Sequence, residues 1–426
     1  MRIGIQTWGS EGDIRPMLAL GHGLVQRGHH VELVYTDIRN RQYEGVASAL
    51  GMTARSVVTP VVLDEAESYR LAIRAMRSSN PLISGRVIID HFFKPAEARM
   101  REAAIELVDR SDLLVGHLLM HHLRAAAERA DKPEVSVTFA HTMVPSRHIR
   151  PTGLPRLGPW GNAAGWRLAR FALNRLWLSD VNKFRRSLGV PPARDLLLDA
   201  WASHLLNLVA VSPVLCAAPP DWPSWNQVSG FLALPPHPHE ILSPSVERFL
   251  DAGPAPLFMG FGSLMPTGTA YLSDTVTLLR QAAARAGYRA IIQAEVEPFD
   301  QDGDAIVVRR APHAVLFPRC AAVVHHAGAG TSHSALRAGV PSVPVPHLSD
   351  QFSWAEDLHR LGVAPPGLPR RSLSAPALAR RITEALAGPE MRRRAREVQG
   401  RMQGEDGIRT SARLIEEVAG GLRLSA

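Results

Sequence analysis

His325-His326-Ala327-Gly328-Ala329-Gly330-Thr331 follows a short apolar run, Ala321 to Val324, and leads into Ser332 to Arg337, which reads as the first turns of a helix. A buried strand, a glycine-rich turn and a helix N-terminus, in that order, make an anion site. The glycines let backbone N–H groups approach an anionic oxygen closely, and the helix dipole adds positive potential. Thr331 and Ser332 are suited to capping and carry hydroxyls that can reach the same oxygens. A nucleotide-hydrolysing phosphate loop needs Gly-Lys-Ser/Thr; this stretch has no lysine, which speaks against that chemistry. A histidine beside a diphosphate points instead to a phosphate leaving with negative charge. A plain glycine turn with surface histidines is the alternative.

The segments around this turn alternate between strand and helix. Pro256 to Gly260, Ala290 to Gln293, Ile306 to Val308, Ala321 to Val324 and Val343 to Val345 read as strands, with helices over Leu272 to Ala286 and Gln351 to Leu361 and a helical tail from Ala375. The first half does the same: strands at Ile3 to Gln6, Val31 to Tyr35, Asp112 to Val115, Val135 to Thr138 and Leu208 to Ser212, with helices over Arg15 to Arg27 and Leu118 to Arg129. Such β-α-β alternation predicts parallel sheets covered on both faces. Between the halves lie Pro219-Pro220-Asp221-Trp222-Pro223 and Leu234-Pro235-Pro236-His237-Pro238, the densest proline in the chain and a linker signal. The expected division is a domain over 1–215, a linker over 216–245, a second domain over 246–400, and a helix over 401–426 that crosses back to the first domain. Both domains read as doubly wound α/β units, whose ligands bind at the carboxyl ends of strands.

A chain of 426 residues is long enough for two such domains. Its two cysteines, Cys216 and Cys320, make neither a disulfide framework nor a metal spacing, which fits a reducing cytoplasm. The chain opens on a strand, so no secretory signal is expected, and no apolar run is long enough to span a bilayer. The net charge of +8 comes mostly from arginine spread over helical segments, without the dense basic block that nucleic acid favours. Peripheral contact with an anionic membrane stays open, as does the choice between monomer and homodimer.

Several loops at predicted strand ends carry chemistry. Trp8-Gly9-Ser10-Glu11-Gly12-Asp13 lacks the Gly-x-Gly-x-x-Gly spacing of nicotinamide or flavin sites. Asp13 is either a general base or the cap of the following helix. Gly260-Phe261-Gly262-Ser263 repeats the glycine-and-hydroxyl design. In Ser349-Asp350-Gln351 a carboxylate and an amide lie side by side, able to hold two neighbouring sugar hydroxyls; helix capping is the other role for Asp350. Asp300-Gln301-Asp302-Gly303-Asp304 lacks the later glutamate of a calcium hand and reads as an acidic turn. His117, His121 and His122 have no carboxylate or cysteine at ligand spacing, so no metal is expected. Trp166, Ala169, Leu173, Leu176, Trp177, Val181 and Phe184 share helical spacing. They form an interfacial membrane helix, a wall for an apolar ligand, or ordinary core.

Together these motifs resemble the family of bacterial antibiotic and glycolipid glycosyltransferases, sterol glucosyltransferases and UDP-glycosyltransferases. The resemblance covers essentially the whole chain. It is strongest where Ala311-Pro312-His313, Phe317-Pro318-Arg319-Cys320, the His325–Thr331 stretch, Leu336-Arg337-Ala338-Gly339-Val340-Pro341 and Asp350-Gln351 follow in family order, and Gly12-Asp13-Ile14-Arg15-Pro16 adds to it. It implies the GT-B fold, two Rossmann-like domains facing a central cleft. It further implies that His326, Gly328, Ala329, Gly330 and Thr331 bind a donor diphosphate, with Ser10, Gly12, Gly262 and Ser263 helping at the donor. Arg310, Pro312 and His313 would line the nucleobase pocket, and Asp350 and Gln351 would hold the sugar. Many members carry a catalytic histidine where this chain has Asp13. Ala327 stands where many have glycine.

The resemblance implies an inverting, metal-independent transfer of a hexose from a UDP- or dTDP-sugar to a lipophilic hydroxyl compound, with no cofactor. Asp13 and His326 are the expected catalytic pair and His141 a reserve base. Trp8, His117, His141 and Trp166 are candidate acceptor contacts. A nucleotide-sugar epimerase and a non-catalytic nucleotide-sugar-binding partner protein are the alternatives.

Overall fold

The structure is a computed structural model that describes residues 1–61, 64–76, 80–155, 157–234, 241–262, 269–295 and 301–425. Ser263, Asp300 and the prolines at 235, 236 and 238 lie outside the described residues.

The chain forms two units: Met1–Val61 with Ile88–Pro235 and Glu405–Ala426, and Val62–Val87 with Pro236–Gly404. The first holds a sheet of β1 (Arg2–Gly9), β2 (His30–Asp37), β3 (Thr53–Ser56), β4 (Leu113–His117), β5 (Glu134–Thr138), β6 (Asn207–Val209) and β7 (Asn226–Val228). Its order is β3-β2-β1-β4-β5-β6-β7, and every pairing is parallel. The second holds β8 (Leu257–Gly260), β9 (Ala290–Gln293), β10 (Gln301–Asp302), β11 (Ala305–Val308), β12 (Ala322–His325) and β13 (Ser342–Pro344), in the order β10-β11-β9-β8-β12-β13. Only β10 runs antiparallel there, so the acidic turn is the tip of a β10–β11 hairpin.

Both faces of each sheet are covered, which is why the central strands read as continuous apolar runs. Along β1, Ile3 and Ile5 join one core with Leu18 and Leu24 of helix Glu11–Gln26. Trp8, of opposite parity, joins another with Met100 and Leu107 of helix Lys94–Arg110. Burial of each such isoleucine stabilises by roughly 1.5–3 kcal/mol.

Three expectations differ from the structure. The stretch 216–245 contributes β7, which pairs with β6, and helix Pro244–Asp251. Its prolines flank Asn226–Val228 instead of interrupting it, and Trp222 is buried, so the proline signal marked a strand edge as well as a connection. Segment Val62–Val87 belongs to the second unit. The first helix starts at Glu11 rather than Arg15, which puts Gly12 and Asp13 inside its first turn.

Helix Gly407–Ser425 completes the first unit's core. Ala412, Ile415 and Ala419 pack with Leu20 and Leu33, and Glu416 pairs with Arg27 and, at 2.9 Å, with His29.

Candidate active site

Strand order reverses between β1 and β4 in the first sheet and between β8 and β12 in the second. Neighbouring loops diverge at such switch points and leave a crevice for ligand. The chemistry-bearing residues gather at these two places.

In the first unit Ser10 caps helix Glu11–Gln26 and Asp13 folds back on it. The Asp13 carboxylate accepts from Ser10 N–H at 2.7 Å and from Ser10 Oγ at 3.1 Å, while Ser10 Oγ accepts from Gly12 N–H at 3.3 Å. This is a capping box with aspartate in place of glutamate. Gly9, at φ +143°, makes room: a methyl there would overlap the Asp13 carboxylate. Burial pushes the Asp13 carboxyl up to about 6 against the two Ser10 hydrogen bonds, and the charge of Asp37 adds to the rise. Asp37, at the end of β2 and paired in register with Gly9, was not anticipated. Its Oδ1 accepts from the N–H groups of Arg39 (2.7 Å) and Arg41 (3.2 Å), which fixes the side chain in place.

Across the first switch point His117 is buried, stacked on Phe139 at 4.9 Å and hydrogen-bonded to the Trp8 backbone; burial lowers its imidazole to about 4. Trp8 is a core residue, edge-on to Phe93 at 5.2 Å. Trp166 is one too: it donates to the Ile149 carbonyl at 2.7 Å and packs with Trp177 and Trp201. The cavity beside Trp177, Trp201 and Phe93 measures about 30 Å³, so these aromatics largely fill the space among themselves. His141 is buried in a short turn after β5, one strand beyond the β1–β4 reversal. His121 and Glu97 form a buried pair at 3.1 Å in which the histidine, Arg101 and His122 outweigh burial and hold the carboxyl near 2.

In the second unit register places Gly260 opposite His325. His325 is buried, and its Nδ1 accepts from the Ala327 N–H at 3.2 Å. The chain then turns through Ala327 at φ +60°, a strained region for a residue with a Cβ. Helix Ala329–Arg337 follows, with Gly328 as an N-cap that offers no side-chain cap. Its first N–H groups have no intrahelical acceptor, the arrangement that suits an anion.

The His326 ring lies across the switch point between two glycines. A methyl on Gly262, itself at φ +74°, would sit 2.5 Å from His326 Cε1, and one on Gly328 would overlap Nε2. Burial lowers this imidazole to about 4, helped by the charge of His313, so it is neutral at physiological pH. Its Nδ1 has no hydrogen-bond partner among the described residues. His313 stacks on Phe317 at 4.3 Å, with Pro312 as the N-cap of its short helix; Arg310 is exposed in the loop after β11.

Ser349 is the other non-glycine residue at positive φ among the described residues of this unit, at φ +49°. It sets up helix Gln351–Arg360, where Asp350 Oδ2 accepts from Trp354 Nε1 at 2.9 Å. Gln351 Oε1 accepts from the N–H groups of His347 (2.8 Å) and Leu348 (3.2 Å). The amide oxygen therefore holds the preceding loop, and it is the Nε2 side that remains for a ligand. His347 was missed by the sequence reading, although it lies three residues past β13. Its ring is 6.4 Å from that of His326, and its Nε2 is buried with no partner among the described residues. Arg370, which lies over Phe261 and bonds Tyr271 Oη at 2.8 Å, carries no local sequence signal.

Two tuned groups, a carboxylate raised to 6 and a neutral histidine at an open helix N-terminus, suit proton abstraction and stabilisation of a departing phosphate. The comparisons with known proteins fit that chemistry. Residues 300–409 match the family described as erythromycin biosynthesis protein CIII-like, C-terminal domain. O-mycaminosyltylonolide 6-deoxyallosyltransferase of Streptomyces fradiae is 30% identical to this chain, covering 98% of each. Vancomycin aglycone glucosyltransferase of Amycolatopsis orientalis is 29% identical over 97% of each. Among solved structures, glycosyltransferase VinC in complex with dTDP superposes with a TM-score of 0.63 at 19% identity, over 98% of this chain and 100% of that one. The two-sheet architecture is the GT-B fold. The chain belongs to the family of glycosyltransferases that these antibiotic-pathway enzymes represent.

Proposed function

We propose that the protein is an inverting, metal-independent hexosyltransferase. It takes a UDP- or dTDP-sugar as donor and a hydroxyl of a lipophilic small molecule, such as a sterol, polyketide or macrolide, as acceptor. The observation that carries the reading is the opposite tuning of the two loops. Asp13, with its carboxyl near 6, is ionised at neutral pH yet basic enough to take the acceptor proton as the new bond forms. The acceptor oxygen bonds to the anomeric carbon, the bond from that carbon to the phosphate oxygen breaks, and the diphosphate keeps the electron pair.

That charge falls on the N–H groups of Ala329, Gly330 and Thr331 and on neutral His326. With these donors in place the reaction needs no cation, and transfer rates should be unchanged by EDTA. Asp350 and the Nε2 of Gln351 would hold the sugar hydroxyls. The dTDP bound by VinC and the vancomycin aglycone named for the Amycolatopsis relative support the donor and acceptor classes.

Asp13→Asn tests the assignment. It should lower kcat by about 10²–10⁴-fold while dTDP or UDP binding by calorimetry stays the same. Full transfer activity in this variant would overturn the role of Asp13.

A further inference from the structure

Helix Gly158–Leu173 has a second face that its packing does not use. Trp166 points inward, but Leu157, Trp160, Leu168 and Phe171 are 65%, 82%, 62% and 69% exposed. With Ala164 they fall at successive spacings of three and four residues, so they form one stripe along the helix. Four of the ten large apolar side chains that are exposed among the described residues sit on this one element or its N-cap.

Along the chain, the stretch that holds the helix carries charge of one sign, although Asp221 accepts from the Arg147 N–H at 2.7 Å. No aspartate or glutamate occurs between Glu134 and Asp180, while the same stretch holds six arginines. Arg170 is used internally, paired with Asp195 at 2.8 Å. Arg147, Arg167 and Arg175 are exposed, and the Arg147 guanidinium lies 5.7 Å over the Trp160 ring.

We propose that this face docks the protein on the surface of a bilayer rich in anionic lipid. A ridge of Trp, Leu and Phe edged by arginine is the pattern of a helix lying in the headgroup layer, with rings in the acyl boundary and guanidinium groups at the phosphates. A second copy of the same face would set arginine against arginine, so charge complementarity favours a negative surface over self-association. No helix among the described residues is long and apolar enough to cross a membrane, which leaves contact from one side.

The test is flotation of the whole chain with vesicles of phosphatidylglycerol and phosphatidylcholine, against vesicles of phosphatidylcholine alone. Anionic vesicles should carry the protein at low salt and release it at high salt. The triple variant Trp160→Ser, Leu168→Ser, Phe171→Ser should melt at an unchanged temperature and lose flotation by more than tenfold. Arg167→Gln and Arg175→Gln should each weaken binding by about fivefold. The proposal fails if the wild-type chain stays out of the anionic vesicle fraction, or if the triple variant floats equally well. It fails equally if light scattering shows a wild-type dimer that the triple variant lacks while neither protein floats.

Discussion

The loops after β1 and β12 are built from the same parts, a strand end, glycines and a helix N-terminus, yet they end in opposite electrostatic states. The first helix is capped by its own side chains: Ser10 and Asp13 satisfy each other and the first turn. The other has glycine at the N-cap and no side-chain cap. Self-capping holds a carboxylate in place, and burial raises it to about 6 against the pull of the two capping hydrogen bonds, which suits that loop to receive a proton. The uncapped loop keeps its N–H groups for an incoming anion and holds a histidine neutral beside them. One cap thus separates a base from an anion cradle.

The largest effect that would break this comparison is removal of the imidazole. His326→Ala should lower kcat by about 10²–10³-fold, as loss of a single transition-state donor does, measured in saturating donor. The glycines flanking that ring come next. Gly328→Ala displaces it, and overpacking of about 1–3 kcal/mol predicts donor binding weaker by about five- to 150-fold in calorimetry.

The pH profile sharpens the contrast. A general base acts in its deprotonated form, so with Asp13 in the proposed role kcat/KM should rise with pH through about 6 and then level off. His326 is neutral above about 4 and should add no limb between pH 5 and 8. The acidic limb should vanish in Asp13→Asn. Ser10→Ala removes a hydrogen bond that pulls the Asp13 carboxyl down, so the limb should move to higher pH while the lost cap costs about 1 kcal/mol of stability.

The smallest change is Ala327→Gly. Relief of about 1 kcal/mol of left-handed strain is offset by about 0.8 kcal/mol for the buried methyl, so the melting temperature should barely move.

Much of this arrangement was legible in sequence because it is local. The glycine turn after an apolar run marked β12 and its helix, and the Asp350-Gln351 pair marked the next strand end. Asp13 reads in sequence as a base or as the cap of the next helix. The structure puts Ser10 at the N-cap and Asp13 at the third helical position of a capping box, because the helix starts four residues earlier than the loop glycines suggest. Asp37, His347 and Arg370 were not legible in this way. Asp37 bears on Asp13 through sheet register, and Arg370 reaches Tyr271 from 99 positions away. The two proline stretches differ. The division between the units falls between Pro235 and Pro236, whereas 219–223 lies within the first unit beside β7. Proline reports where a hydrogen bond is missing, and that occurs at sheet edges as well as in linkers.

The return of helix Gly407–Ser425 to the first unit has a consequence for how the chain is made. Ala412, Ile415 and Ala419 belong to the core begun by Ile3 and Ile5, so a strand made earlier waits for a helix made much later before that core closes. The second unit, complete by Gly404, can finish first. Synthesis order and folding order are therefore reversed, and the early-made sheet spends the intervening period with one flank uncovered, dependent on chaperones or on speed.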